Sequence, residues 1–326
     1  MRLTQIESSD LRIFEFDYDQ TYGIFFLNSQ QQVLGRYGAR DATNAESLLS
    51  LKGLRYAMES ALATIQHQQN AAGSPTSNGT SAAPLYIRDL AASREVNGCV
   101  HCHDVNEILR ADAQERGVWK QADLFRYPPT ENAGFALNVD RGDEVTGVIP
   151  DSPAAKAGLK TGDIIATIGD RSVRSIADAQ FALDKSPQQG QVPIVWNRGN
   201  QELSSKLDLL PGWKRSDISW RPSLQQYVGL PRLYGTDLTA EQRQQLGLTP
   251  TQLAFRHRVK IHRQAQPAGV KPGDVILGFN DEQLDMGVYE FETYVRRRYV
   301  AGDQVTINLI RDGQRLKLPM TILRLY

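Results

Sequence analysis

Both cysteines of the chain and two of its five histidines fall in one pentapeptide, Cys99-Val100-His101-Cys102-His103. Two thiols three positions apart, with a histidine directly after the second, is the spacing that attaches a c-type haem. Each sulfur can add to one vinyl group of a single porphyrin, and the histidine can reach the iron from the same side. Cys99, Cys102 and His103 are therefore the candidate cofactor-binding residues, with His103 as metal ligand and one covalent haem c as the expected cofactor. Other chemistries use the same residues. A Cys-x-x-Cys pair can be a dithiol/disulfide redox centre, because polar or basic neighbours lower the attacking thiol's pKa. It can be half of a zinc site, with His101 or His103 as a third ligand. It can also be a plain disulfide that clips a small loop. Zinc ranks low because no second cysteine pair closes a tetrahedron. The dithiol ranks below haem because the motif follows a Ser/Gly/Asn-rich tract and a short polar helix, not a strand of a βαβ unit.

What must position this motif is a chain of 326 residues, long enough for two or three domains. Hydrophobic content of 40% and charged content of 23% are those of ordinary globular domains. The formal net charge of +0 leaves no electrostatic footprint for nucleic acid. Arg296, Arg297 and Arg298 read as a solvated helix end. No apolar run is long enough to cross a bilayer. The first thirty residues lack the basic-then-apolar pattern of a signal peptide. That sits in tension with a c-type haem, which is attached outside the cytoplasm and would place the protein in the periplasm or cell envelope.

Arg2 to Ile6 reads as a short strand, and Tyr22–Leu27 and Val33–Tyr37 as a hairpin. Ser50 can cap a helix running through Gln66, with Leu51, Leu54, Met58, Ala61 and Ile65 on one face, expected to pack on the hairpin. Gln66 to Pro84 reads as a flexible linker. Asp104–Arg116 reads as a helix with Ile108, Leu109 and Ala113 on one side. His257 and His262 read as surface strand histidines. The expected organisation is 1–66, a partial unit; 67–84, linker; 85–128, the Cys-x-x-Cys-His segment; 129–212 and 241–326, two repeats; and 213–240, a connector.

The repeats are carried by Ser152-Pro153-Ala154-Ala155-Lys156-Ala157-Gly158-Leu159-Lys160-Thr161-Gly162-Asp163 and Gln266-Pro267-Ala268-Gly269-Val270-Lys271-Pro272-Gly273-Asp274. Ser152 is a helix N-cap, Pro153 suits the first helical position, and Gly158 suits the left-handed residue that ends the helix. Each copy continues with a strand, a helix (Ser175–Lys185; Val288–Tyr299) and a closing hairpin. Both copies resemble PDZ domains of the bacterial, HtrA/DegP-like, protease-associated type. The segments Phe14–Thr21, Phe25–Asn28 and Gly35–Gly38 resemble the second half of a thioredoxin-like fold. The whole order resembles exported multidomain proteins of planctomycete-type bacteria.

The expected class is therefore α+β and multidomain. A partial thioredoxin-like α/β unit precedes a short helical Cys-x-x-Cys-His segment and two PDZ-like, partly open β-barrels. The PDZ resemblance implies peptide binding by strand addition between a strand and a helix, with protein C-termini or extended segments as partners. In the first copy it points to Gly134, Phe135, Ala136 and Leu137 on the strand and Ile176, Ala179, Gln180 and Leu183 on the helix. In the second it points to Leu253, Ala254 and Phe255, with Phe291 opposite. No Gly-x-Ser-Gly segment and no catalytic barrel is visible, so the expectation is not a protease. The expected function is a c-type haem-binding redox or sensor segment on a tandem PDZ scaffold. The alternative is a pure interaction scaffold whose Cys99/Cys102 pair is a disulfide or thiol-redox centre.

Overall fold

The structure is a computed structural model that describes residues 6–7, 9–70, 83–90, 100–258 and 268–324. Cys99, His262 and the strand expected at 2–6, Ile6 apart, lie outside these residues, as does 71–82 of the expected linker. The chain divides into two compact units, Met1–Ser216 with Arg221–Ser223, and Asp217–Trp220 with Leu224–Tyr326. The segments expected at 1–66, 85–128 and 129–212 thus share the first unit.

In the first unit the order is β1 (Ile24–Leu27), β2 (Val33–Tyr37), α1 (Leu51–Asn70), α2 (Cys102–Glu115), β3 (Phe135–Leu137), β4 (Val145–Val148) and α3 (Pro153–Ala157). It continues with β5 (Ile164–Ile168), β6 (Arg171–Ser172), α4 (Ile176–Asp184), β7 (Gly190–Arg198) and β8 (Gln201–Leu209). The second unit holds β9 (Gly235–Asp237), α5 (Ala240–Gln245), β10 (Phe255–His257), β11 (Val275–Phe279), α6 (Val288–Arg298), β12 (Gln304–Arg311) and β13 (Gln314–Thr321). Sheet orders are β1-β2, β3-β4, β6-β5-β7-β8 and β13-β12-β11-β10-β9.

The local signals explain the elements. Ser152 Oγ accepts from Ala155 N at 3.1 Å, Pro153 opens α3, and Gly158 closes it at φ +94°. The turn from β12 to β13 places Asp312 at φ +50° and Gly313 at φ +79°, the mirror-image turn that matches strand twist. Alternating residues of β7 (Val192, Ile194 and Trp196) point inward and are buried, as period-two patterning requires. They pack with Phe135, Ile165, Ile168, Leu183 and Leu207 in the first unit's main core. Burying each such side chain contributes about 1.5–3 kcal/mol.

The two repeats share one ion pair. Arg198 at the end of β7 bonds both carboxylate oxygens of Asp163 at 2.7 and 2.8 Å and the Gly158 carbonyl at 2.7 Å. Arg311 at the end of β12 does the same to Asp274, at 2.8 and 2.8 Å, and to the Gly269 carbonyl at 2.8 Å. Burial acts to raise both aspartates, but the arginine hydrogen bonds win and hold each carboxyl below its ordinary pKa.

The repeats form no closed barrel among the described residues: β3 and β9 have three residues and β6 two, and in the first repeat a Glu144↔Ile164 bridge joins the β3-β4 pair to β5. Among the described residues β1 and β2 pair with each other alone, as the expected hairpin. Against expectation, α1 does not bury its leucine stripe. Gly53, Ala57 and Ala61 are the buried face, while Leu51 and Met58 are 85% and 53% exposed. The reason is close approach: a Cβ on Gly53 would lie 2.3 Å from the Val139 carbonyl oxygen, so only small residues fit that side.

Candidate peptide-docking sites

In the first unit a 3-10 turn, Thr130–Ala133, ends on Gly134 at φ +99°. Gly134 N donates to Glu131 O at 3.0 Å, and Gly134 O accepts from Ile149 N at 2.8 Å and from Ser152 Oγ at 3.4 Å. A Cβ here would meet Ser152 Oγ at 2.1 Å. Glycine is thus required twice, for the left-handed backbone and for the approach to the α3 cap. The chain then enters β3, where Phe135 pairs with Val148 and Ala136 with Gly147. Phe135 and Leu137 point inward, and Ala136 is partly exposed on the other face.

α4 runs beside this strand. Ser175 Oγ accepts from Asp178 N at 3.0 Å and starts the helix. Phe135, Leu137, Ile176, Ala179 and Leu183 belong to one apolar cluster, so the structure brings the predicted strand and helix residues together. All five are buried, with Phe135, Ala179 and Leu183 at 0% exposure. They therefore serve as core as well as wall.

The other side of α4 is held by residues that sequence reasoning did not single out. Arg36 N donates to Asp178 Oδ1 at 2.9 Å, and Arg174 Nη1 donates to Leu34 O at 3.0 Å. The Arg36 guanidinium sits 3.6 Å from the Phe181 ring centroid. Burial pushes Asp178 up to about 6, against the opposing pull of Arg36 and Arg174. At the far end of α4, Arg126 bonds both oxygens of Asp184 at 2.7 Å, and Tyr127 N donates to Asp184 Oδ1 at 3.1 Å. Burial opposes ionisation of Asp184, but Arg126 outweighs it and keeps the carboxyl below its ordinary pKa. This pair fixes the segment leading into the Gly134 turn to the end of the helix.

In the second unit the predicted strand is displaced. Leu253, Ala254 and Phe255 are 0% exposed, and Phe255 lies on β10, an interior strand of its sheet. The sheet edge is β9, Gly235–Asp237, which pairs with β10 through Phe255↔Asp237 and His257↔Gly235. Arg258 N donates to Tyr234 O at 2.9 Å, continuing the pairing of β9 with β10, and His257 N donates to Asp274 O at 2.8 Å as Val145 N does to Asp163 O in the first repeat. The equivalent of β3 is thus β9, and it lies in the stretch read as a connector. Asp237 links it to the helix: Val288 N donates to Asp237 Oδ1 at 3.1 Å, at the start of α6. Phe291 is on α6 but fully buried in the core with Phe255 and Phe279. The missed signal was the alternation in Leu233-Tyr234-Gly235-Thr236-Asp237-Leu238 before the capping box Thr239/Gln242. Without it, α5 inserted between β9 and β10 shifts the apparent repeat register. His257, expected on the surface, is 3% exposed, with Nδ1 2.7 Å from Tyr234 O.

Of the Cys/His motif, residues 100–103 are described. α2 begins at Cys102, because Asp104 Oδ2 accepts from His101 N at 2.7 Å. Cys102 and His103 therefore sit in the helix's first turn. The inner face of α2, Val105 and Ile108, packs with Val100, Ile6, Leu11, Tyr18 and Ile87 in a closed apolar cluster. His103 is 45% exposed with Nε2 3.3 Å from Asp104 Oδ1, and its ring lies parallel to His101 with centroids 5.8 Å apart. Cys102 is an exposed free thiol. Even so, partial desolvation, reinforced by Asp104, pushes its pKa up, the opposite of an activated thiolate. Among the described residues no group of three or more His, Cys, Asp or Glu side chains is placed to hold a metal ion.

Open strand pairs beside a helix, built on the Gly-Asp turn, are the arrangement of a PDZ domain, and comparison finds one in the first repeat. The family model for the PDZ domain matches residues 144–198, which span β4 to the end of β7. The chain is similar to HtrA/DegP-type proteins. It is 28% identical to the periplasmic pH-dependent serine endoprotease DegQ of Escherichia coli over 182 residues, 56% of this chain and 36% of that protein. It is 26% identical to a probable periplasmic serine endoprotease DegP-like of Pseudomonas putida over 223 residues, 65% of this chain and 44% of that protein. The chain spans less than half the length of these relatives. Among solved structures, the HtrA3 PDZ domain bound to a phage-derived ligand is 25% identical, covering 21% of this chain and 66% of that one, with a TM-score of 0.19.

These relatives correct the expected function. They are named serine endoproteases, none by its name a haem protein. The expected function as a haem carrier on a non-proteolytic scaffold, and its pure-scaffold alternative, are corrected by that finding. No helix among the described residues is long and apolar enough to cross a membrane.

Proposed function

We propose that the protein takes part in HtrA/DegP-type serine endoproteolysis in the periplasm or cell envelope, and that the part described here delivers its substrate-recognition step. Protein C-termini or extended segments dock by strand addition beside β3 and α4 in the first repeat, and beside β9 and α6 in the second. The observation that carries this reading is the Gly134 turn at the mouth of a segment that matches the PDZ family. The PDZ resemblance assigns capture of a terminal carboxylate to the backbone between this turn and the start of β3. Asp184 and Arg126, which pin the approach to that turn, keep it in register with α4.

Fluorescence anisotropy with labelled peptides ending in an apolar residue tests the assignment. The free-carboxylate form should bind at least about tenfold tighter than the same peptide amidated, a difference of about 1.4 kcal/mol. Equal affinity for the two forms, or binding of neither across a varied peptide set, would reject it.

A further inference from the structure

α1 is a twenty-residue helix whose buried face is made of small residues, which leaves its large apolar ones turned away from the body. Leu51, Met58 and Leu62 are 85%, 53% and 54% exposed. Leu54 and Ile65 flank them and are partly buried. At 100° per residue these five fall within an arc of about 80°. Their spacing is palindromic about Met58: three, four, four and three residues separate 51, 54, 58, 62 and 65.

A stripe with that symmetry is complementary to itself when run antiparallel. Leu51 meets Ile65, Leu54 meets Leu62, and Met58 meets Met58 across a two-fold axis. Isologous contact of this kind uses one patch on both copies and closes on itself. The charges follow the same axis. Arg55 and Glu59 border the stripe on its solvent side, bonded to each other at 2.7 Å and both mostly exposed. In the antiparallel arrangement the same borders face each other, and Arg55 of one copy comes within about two residues' rise, roughly 3 Å along the axis, of Glu59 on the other. Two reciprocal ion pairs then line the apolar seam. The segment that follows the helix, 71–82, holds no Leu, Ile, Val, Met or aromatic residue that could cover the stripe in its place.

From this we infer that α1 is a self-association surface, and that two copies of the chain pair through antiparallel α1 helices centred on Met58. This goes beyond peptide docking and does not depend on it. Pairing would join two sets of PDZ units, so that a substrate with two exposed segments is held by avidity. The seam is small, at the low end for specific interfaces, so the dimer is weak, with a dissociation constant on the order of 10 μM.

Sedimentation equilibrium on the full chain from about 1 to 200 μM reads this directly. The mass should rise from monomer to dimer over that range. Met58→Glu should hold the chain monomeric throughout, while its circular dichroism melt stays that of the wild type, because the side chain is exposed. Arg55→Glu alone and Glu59→Arg alone should each weaken pairing about tenfold, and the double swap should restore it. A wild type that stays monomeric to the top of the range overturns the inference. So does association that survives Met58→Glu, a double swap that fails to recover, or a monomer that instead floats with lipid vesicles.

Discussion

Gly134→Ala is a test of whether the docking turn is built as described. The residue sits at φ +99°, where an L side chain costs about 1 kcal/mol or more. Its new Cβ would also fall 2.1 Å from Ser152 Oγ and 2.2 Å from Ser152 Cβ. Neither distance is tolerable, so Ser152 must move, and with it goes the cap on Ala155 N, about 1 kcal/mol more. Adding the strain of displacing the turn brings the cost to about 3 kcal/mol, or roughly 6–12 °C in Tm for a unit of this size. Urea unfolding followed by near-UV circular dichroism of Trp196 and Trp213, both in the first unit's core, reports it. The second variant, Gly134→Ala with Ser152→Gly, removes the obstructing side chain while glycine still serves as a cap. Its cost should fall back to about 1–2 kcal/mol, the left-handed strain alone. If Gly134→Ala costs under about 0.5 kcal/mol, or if the Ser152→Gly change recovers nothing, the steric reasoning is wrong.

Other expectations follow from the buried charges. Asp178 is 4% exposed in its side chain and raised to about 6, so the folded state holds its proton above the pH where the unfolded chain loses it. The stability this confers is full below about pH 4 and is lost as pH rises through 6, on the order of 3 kcal/mol at most. Asp178→Asn should flatten that part of a stability–pH curve, and a curve parallel to the wild type's would refute the assignment. Arg311→Ala leaves Asp274, 1% exposed, without its ion partner and should cost about 2–3 kcal/mol in the second unit. Arg198→Ala should cost less in the first, since Arg198 is 37% exposed against 21% for Arg311; urea midpoints give the order. Asp237→Ala removes the carboxylate that accepts from Val288 N and should cost about 1 kcal/mol. It should also weaken peptide binding to the second repeat while leaving the first unchanged, as measured by anisotropy.

The sequence by itself determined what short-range chemistry controls. The caps at Ser50 and Ser152 and the duplicated Gly-Asp motif each depend on residues a few positions apart, and each appears as read. The strand β2 was legible to the residue, because a polar turn precedes it and Gly38 follows it. The pentapeptide around Cys102 was legible as a pattern, but its spacing did not carry the function that the relatives' names point to. Spacing says that sulfurs and imidazole could converge, but not that the adjoining face of α2 is spent on Ile6, Leu11 and Ile87.

Tertiary structure decided the rest, because each remaining question concerned partners distant in the chain. Which strand forms the edge of the second repeat depended on β9 pairing across the α5 insertion, which no local window contains. Which face of α1 turns inward depended on how near the Val139 carbonyl comes, and at that range size outranks hydrophobicity, so glycine and alanine went in and leucine stayed out. The burial that shifts Asp178 comes from a helix and a hairpin 142 residues apart in sequence, a desolvation cost that exists only once the two have met.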